Sequence, residues 1–346
     1  MPLSLAQQPS RWLLPNFSDR LELRVSNPSD AAVNTLAVVP VAEAAQTALR
    51  FPGTMAIAVI PGLPVTILPS QAVDLNGDGA PDEFVFPVKL KAHAQVTVDV
   101  YYSATLHGEI PWPREVYASH SFGYNWSTVA LESEAIGYRA YGGFFLDVQA
   151  RAKGEPGLNN SLVGFLSAGA SAPSPAGRDI LHIGDTLGLG GLFLRSAEDV
   201  FRPPLNVAEY QHKPAPLEAP TYRVISDGPL RAVVEARMDR WTIGKDAVSI
   251  DAIYSIDAGS ETVECRFRIL PISLSHTYVV GTGIRSLPKM HTDASPGRLA
   301  LEGEQNLQIG ALGLALYFDP ATASSTGTLR TKDSENQTVV FRERLA

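Results

Sequence analysis

From Leu21 onward the chain alternates apolar and polar residues in short runs. Leu21-Glu-Leu-Arg-Val puts every second side chain on one face, and Ala56-Ile-Ala-Val-Ile, Phe84-Val-Phe-Pro-Val and Gln95-Val-Thr-Val-Asp-Val-Tyr-Tyr repeat the design. A period of two is that of a pleated strand buried on one side. Between the runs stand turn formers such as Asn27-Pro-Ser-Asp, which bond their own backbone or preset φ. The pattern resumes at Tyr222-Arg-Val-Ile, at Ala232-Val-Val-Glu-Ala-Arg, and over residues 248–256 and 262–269. No long helical pattern and no internal repeat interrupts it. The predicted fold class is all-β, an antiparallel β-sandwich. An N-terminal portion is expected over residues 15–106 and a larger one over 107–346, packed separately or as one continuous structure.

One connection is chemically distinctive. In Asp74-Leu-Asn76-Gly-Asp78-Gly79-Ala-Pro-Asp82-Glu83, oxygen-bearing side chains fall at positions one, three, five and nine, with glycine at six. A hard cation such as Ca²⁺ takes six to eight oxygens, and a tight loop supplies most of them. Asp74, Asn76, Asp78, the Ala80 carbonyl and Asp82 form the expected ligand set, and the ion is expected to be structural. Position twelve is Val85, not glutamate, and strand-like sequence follows, so this is a calcium-type loop between strands and not an EF-hand. The plain alternative is a solvated turn.

Composition narrows the field. Of 346 residues 45% are hydrophobic and 18% charged, so the chain has the means to bury a core. A formal net charge of −8 without a basic stripe argues against nucleic-acid binding. The single Cys265 excludes a disulfide framework and a zinc cluster, and its place in an alternating run predicts a packed core thiol. No run is long enough to span a bilayer as a helix. Residues 1–14 lack signal-peptide features, so the expectation is either a cytosolic protein or a periplasmic or secreted one whose leader has been removed. Calcium-loop chemistry favours the second.

Candidate chemistry clusters later in the chain. Residues 107–127 crowd aromatic and histidine side chains, including His120 and Trp126. Glu132 and Glu134 precede Tyr138, Arg139 and Tyr141. Read as one extended segment, Glu132, Glu134 and Tyr138 share a face, with Arg139 and Tyr141 on the other. Paired carboxylates suit acid–base work, metal binding or sugar hydroxyls. Arg178 precedes His182, and the glycines at 184, 188, 190 and 191 lack dinucleotide-fingerprint spacing, marking a bend where a ligand or another backbone comes close. Arg223 and Arg231 flank the turn at Asp227-Gly-Pro and are expected as cross-strand neighbours suited to a carboxylate. Residues 168–178 read as a surface loop, and 196–220 as a proline-rich wrap. His276 and His291 are further titratable candidates.

In order, these segments resemble the bacterial family known as domain of unknown function 4861. The resemblance runs through Asn27-Pro-Ser-Asp, Pro69-Ser-Gln71 with the Asp74 loop, residues 132–142, 182–191 and 222–231, and so covers most of the chain. Leu131, Ser133 and Glu134 replace residues usual in that family. The resemblance implies a carbohydrate-active, secreted or periplasmic protein associated with breakdown of polysaccharides, often uronate-containing. It also implies a galactose-mutarotase-like supersandwich.

The leading expectation is a lyase acting by β-elimination on an acidic polysaccharide or oligosaccharide. Arg139, Arg223 or Arg231 would neutralise the uronate, with Arg178, Tyr141 and Trp126 as further substrate contacts. His182 or His120 would take the proton, and Tyr138 or Tyr141 would supply one. Alternatives are a glycoside hydrolase built on Glu132 or Glu134, a noncatalytic glycan binder, and a sugar epimerase.

Overall fold

Ala56–Ile60 and Gln95–Tyr102 are strands with the expected bounds, and the runs at 21, 84, 222, 232 and 248 lie inside strands slightly longer than the alternation. The computed structural model describes residues 3–5, 12–48, 50–52, 54–103, 110–121, 128–141, 144–150, 178–181, 183–197, 199–204, 220–304, 310–332 and 335–346. Among them every strand pairing is antiparallel, and one seven-residue helix occurs, Val41–Thr47. The all-β expectation holds.

The first sheet orders Leu3–Leu5, Asp19–Ser26, Gln95–Tyr102, Ala56–Ile60 and Thr66–Leu68. It faces a three-stranded sheet of Val33–Pro40, Glu83–Leu90 and Gln71–Val73. Leu23, Val25, Val98 and Val100 from one meet Phe84, Phe86 and Val39 from the other. These are the apolar halves of the alternating runs, so burial selects the strand faces as the pattern requires.

The second core lies between a ten-stranded sheet and the four-stranded sheet of Thr221–Asp227, Arg231–Ile243, Asp246–Asp257 and Val263–Ser273. Val129, Leu131, Tyr138 and Val148 pack there with Val234, Ala236, Ile250 and Tyr254. A further three-stranded sheet, His291–Ser295, Arg298–Glu304 and Ala311–Tyr317, adds Leu299, Leu301, Leu312 and Leu314 to the same core. The result is a large stacked sandwich.

A polar joint connects the two cores. Leu36, Val73 and Val85 pack on Leu230 and Val233. Buried Gln71 accepts from the amides of Leu230 (2.7 Å) and Arg231 (2.8 Å) and donates to the Ser226 hydroxyl and the Arg231 carbonyl. Arg231 donates to Asp257 at 2.6 and 2.9 Å and to Glu83 at 2.5 Å. Cys265 departs from expectation in part: the residue is exposed on Val263–Ser273, the last strand of its sheet, yet it lies opposite buried Tyr254 and burial pushes its thiol up to about 12.

Candidate functional site

The segment from 130 to 141 is a hairpin, not one extended strand. Thr128–Ser133 and Ile136–Tyr141 pair with Glu132 opposite Gly137 and Ala130 opposite Arg139. Directly opposed residues share a face, so the turn at 134–135 reverses the parity read from sequence. Glu132 therefore stands with Arg139, and Tyr138 stands on the other side.

The next strand extends the charged face. Phe145–Ala150 places Asp147 opposite Arg139, and Gln149 opposite Asp179 of the short strand Arg178–Asp179. Arg139 Nη2 donates to Asp147 Oδ2 at 2.5 Å. Glu132, Asp147 and Gln149 are each about 1% exposed, although the four- and three-stranded sheets pack against the opposite side of this sheet. Burial pushes the Asp147 carboxyl up, Arg139 pulls it down, and the neighbouring Asp179 adds to the rise; the net direction is upward. Asp147 and Gln149 were missed in sequence. Their signal was the alternation Leu146-Asp147-Val148-Gln149, an apolar–polar repeat inside a buried strand.

Other sequence candidates separate from this face. The Tyr138 hydroxyl donates to the Glu261 carbonyl at 2.5 Å, and the Ser133 hydroxyl to the Ser260 carbonyl at 2.6 Å, tying the hairpin to the four-stranded sheet. Burial, with Cys265 and Glu261 nearby, raises the phenol further from ionisation. His120 lies opposite Val129 on the core side, where burial lowers its pKa. Glu134 sits in the turn and accepts from the Gly259 amide at 3.2 Å. Arg178 lies opposite Ala150. His182, Trp126 and the side chain of Tyr141 lie outside the described residues, as do residues 168–177 and 205–219 and parts of 107–127.

The paired-arginine expectation is corrected. Arg223 lies opposite Glu235 and Arg231 opposite Asp257, so the two are not cross-strand neighbours. Arg223 holds Glu235 through two bonds at 2.5 and 3.0 Å, and Arg231 is saturated in the joint. The glycine-rich stretch meets other parts of the protein. Gly188 has φ +52, and a Cβ there would lie 2.9 Å from both Phe145 and Ile183; one on Gly191 would lie 2.3 Å from the Leu187 carbonyl. His276 Nδ1 lies 2.9 Å from buried Asp246, which also accepts from Ser275 and Tyr278.

The aspartate-rich loop is tied by its own backbone. Asp74 accepts from the Gly77 amide (2.6 Å) and the Gly79 amide (2.7 Å), Asn76 from Asp78 (2.8 Å), Asp78 from Ala80 (2.8 Å) and Asp82 from Leu75 (2.7 Å). Slight burial raises Asp74, but the amides of Gly79, Gly77, Asp78 and Asn76 outweigh it and hold the carboxyl below its usual range. Among the described residues no three acidic, histidine or cysteine side chains converge on one point as metal ligands. The donor chemistry still fits a hard cation: a carboxylate has about four acceptor sites, so oxygens bonded to one amide each keep lone pairs free.

Stacked antiparallel sheets define a β-sandwich protein, and one of the sheets carries a buried charged face. A family model described as Domain of unknown function (DUF4861) matches residues 25–344, and the chain belongs to that family. No curated protein matches. The fold is similar to an alpha-mannosidase from Enterococcus faecalis V583, at 10% identity and TM-score 0.41, over 94% of this chain and 43% of that one. It is also similar to a protein in the glycosyl hydrolase family 38 from Enterococcus faecalis, at 9% identity and TM-score 0.42, over 92% of this chain and 44% of that one. The chain thus spans less than half the length of either. Among the described residues no helix is long and apolar enough to cross a membrane.

Proposed function

We propose that this is a carbohydrate-active protein whose charged sheet face hydrolyses a glycosidic bond by carboxylate acid–base chemistry. The observation that carries the reading is the Arg139–Asp147 pair, buried beside Glu132 on one face. A carboxyl kept protonated toward neutral pH is suited to protonating a leaving-group oxygen, and a second carboxyl group to activating water or attacking carbon. Asp147 takes the first role; Glu132 or Asp179 takes the second. Arg139 holds Asp147 in place.

β-Elimination is less well served among the described residues. One of its candidate acids, Tyr138, and one of its candidate bases, His120, stand on the face away from Arg139. Arg139 itself would have to leave Asp147 to meet a uronate. The proposed partner is therefore a polysaccharide or oligosaccharide of unspecified charge. The 74–82 loop is proposed to hold Ca²⁺ in a structural role, which favours a periplasmic or extracellular setting where that ion is plentiful.

The test is incubation with neutral and uronate-containing glycans, following reducing ends and ultraviolet absorbance together. Hydrolysis produces reducing ends without absorbance, and Asp147→Asn abolishes them. Absorbance from a new C4=C5 bond would reinstate elimination, and absence of both signals with retained binding would leave a glycan binder.

A further inference from the structure

The 74–82 loop and Arg223, far apart in sequence, meet across a cleft of about 490 Å³ between the N-terminal sheets and the outer face of the four-stranded sheet. Arg223 Nη2 donates to the Asn76 carbonyl at 3.1 Å. Gly77 lies so close that a Cβ there would sit 2.7 Å from Arg223 Nη1. This wall is well away from the face that carries Asp147, since the four-stranded sheet packs its other side into the main core.

The charges of the cleft are unequal. Arg223 is taken up by Glu235, Glu83 by Arg231 at 2.5 Å, and Arg237 by Asp239 at 2.6 Å. With Asp82 assigned to the proposed Ca²⁺ loop, Asp251 is the lining carboxylate left outside any ion pair among the described residues. Asp251 Oδ1 is buried with no hydrogen-bond partner, although a carboxylate oxygen left in that state loses its hydration without replacement. Arg237, directly across the strands from Asp251, keeps N–H groups free beyond its bond to Asp239. Between these polar groups lie Ile253 and Leu75, an apolar floor.

Excess acceptors, a few donors and an apolar floor match a molecule with many hydroxyls and a C–H face. The volume is in the range of ligand clefts, roughly 300–1,000 Å³. Asp251, without a counter-ion in the cleft, repels an anion, so an acidic sugar is disfavoured. We infer that this cleft binds a neutral sugar residue, as a second glycan site separate from the charged sheet face.

Isothermal titration calorimetry with neutral β-1,4-linked tetrasaccharides of glucose, mannose, galactose and xylose tests this, with trigalacturonate as the acidic probe. At least one neutral tetrasaccharide is expected to bind. Asp251→Ala and Arg237→Ala should each weaken it at least tenfold, while Asp147→Asn leaves it within twofold. Arg237 is largely exposed, so its variant reports even if Asp251→Ala fails to fold. The inference is overturned if no neutral tetrasaccharide binds, if trigalacturonate binds more tightly than all of them, or if the cleft variants keep wild-type affinity. Loss of binding in Asp147→Asn alone would also overturn it, by moving the binding to the sheet face. Cleavage and cleft binding can fail independently, so the two readings are separable.

Discussion

Arg139 and Asp147 face each other across neighbouring strands at 2.5 Å, both nearly sealed from solvent, on the face of their sheet turned away from the main core. A buried ion pair in such a place adds little net stability, because desolvation offsets most of the attraction. Its value is positional: Arg139 holds the carboxyl in place, while burial keeps that carboxyl hard to ionise.

Replacing Asp147 with Asn should remove the proposed acid and keep an oxygen that accepts from Arg139, at a stability cost of up to about 3–5 kcal/mol from the uncompensated Arg139 charge. General acid catalysis contributes about 10²–10⁴-fold. A drop of that size in kcat with little change in KM, read from reducing-end release, is expected. A loss under tenfold would take Asp147 out of the chemistry.

The same carboxyl sets a pH signature. Its folded-state pKa is raised, mainly by burial, so between the ordinary aspartate range near 4 and the raised value the native state holds the extra proton. Stability from this group is present below that range and declines as pH rises through it. Thermal midpoints across pH should fall less steeply for Asp147→Asn than for the parent protein; equal slopes would contradict the assignment.

Arg231 belongs to stability. It is buried between Asp257 and Glu83, and removing it leaves two carboxylates facing each other in the joint. Arg231→Met should cost about 3 kcal/mol in denaturant unfolding, in keeping with loss of one partner from a buried pair.

Gly281 makes room for an aromatic ring. It lies opposite Phe193, and a Cβ there would come 2.2 Å from the ring edge. Gly281→Ala should destabilise by about 1–3 kcal/mol through overpacking. Pairing it with Phe193→Leu should recover part of that loss.

Chelation addresses the 74–82 loop. With Ca²⁺ bound, EGTA should lower the thermal midpoint, since a ligand at about 100 times its Kd stabilises by about 2.7 kcal/mol. Asp74→Ala should remove the response. A midpoint indifferent to both treatments would leave the loop a self-bonded turn, and loss of activity by a chelated but folded protein would move the ion into the active site.

Much of this architecture was legible in the alternation. A strand with one buried face writes its period directly into the chain, and Ala56–Ile60 and Gln95–Tyr102 kept their expected bounds. The site was legible only in part. Glu132 and Arg139 were identified as candidates, but the two-residue turn between strands reversed which neighbours they keep. Cys265 followed an apolar pattern yet is exposed, because being the last strand of a sheet is a property of topology.

The 74–82 loop kept its local character: its spacing of oxygens and glycines dictates a turn whose side chains bond nearby amides, and those partners lie within a few residues. The partners of Arg139, Arg231 and Arg223 were settled only by the tertiary structure. Strand register decides which charge stands opposite which, and register depends on turns and sheet order that one-dimensional spacing does not encode. Local sequence thus determined the strands, their buried faces and the loop; strand pairing decided that Glu132 and Asp147 share a face with Arg139.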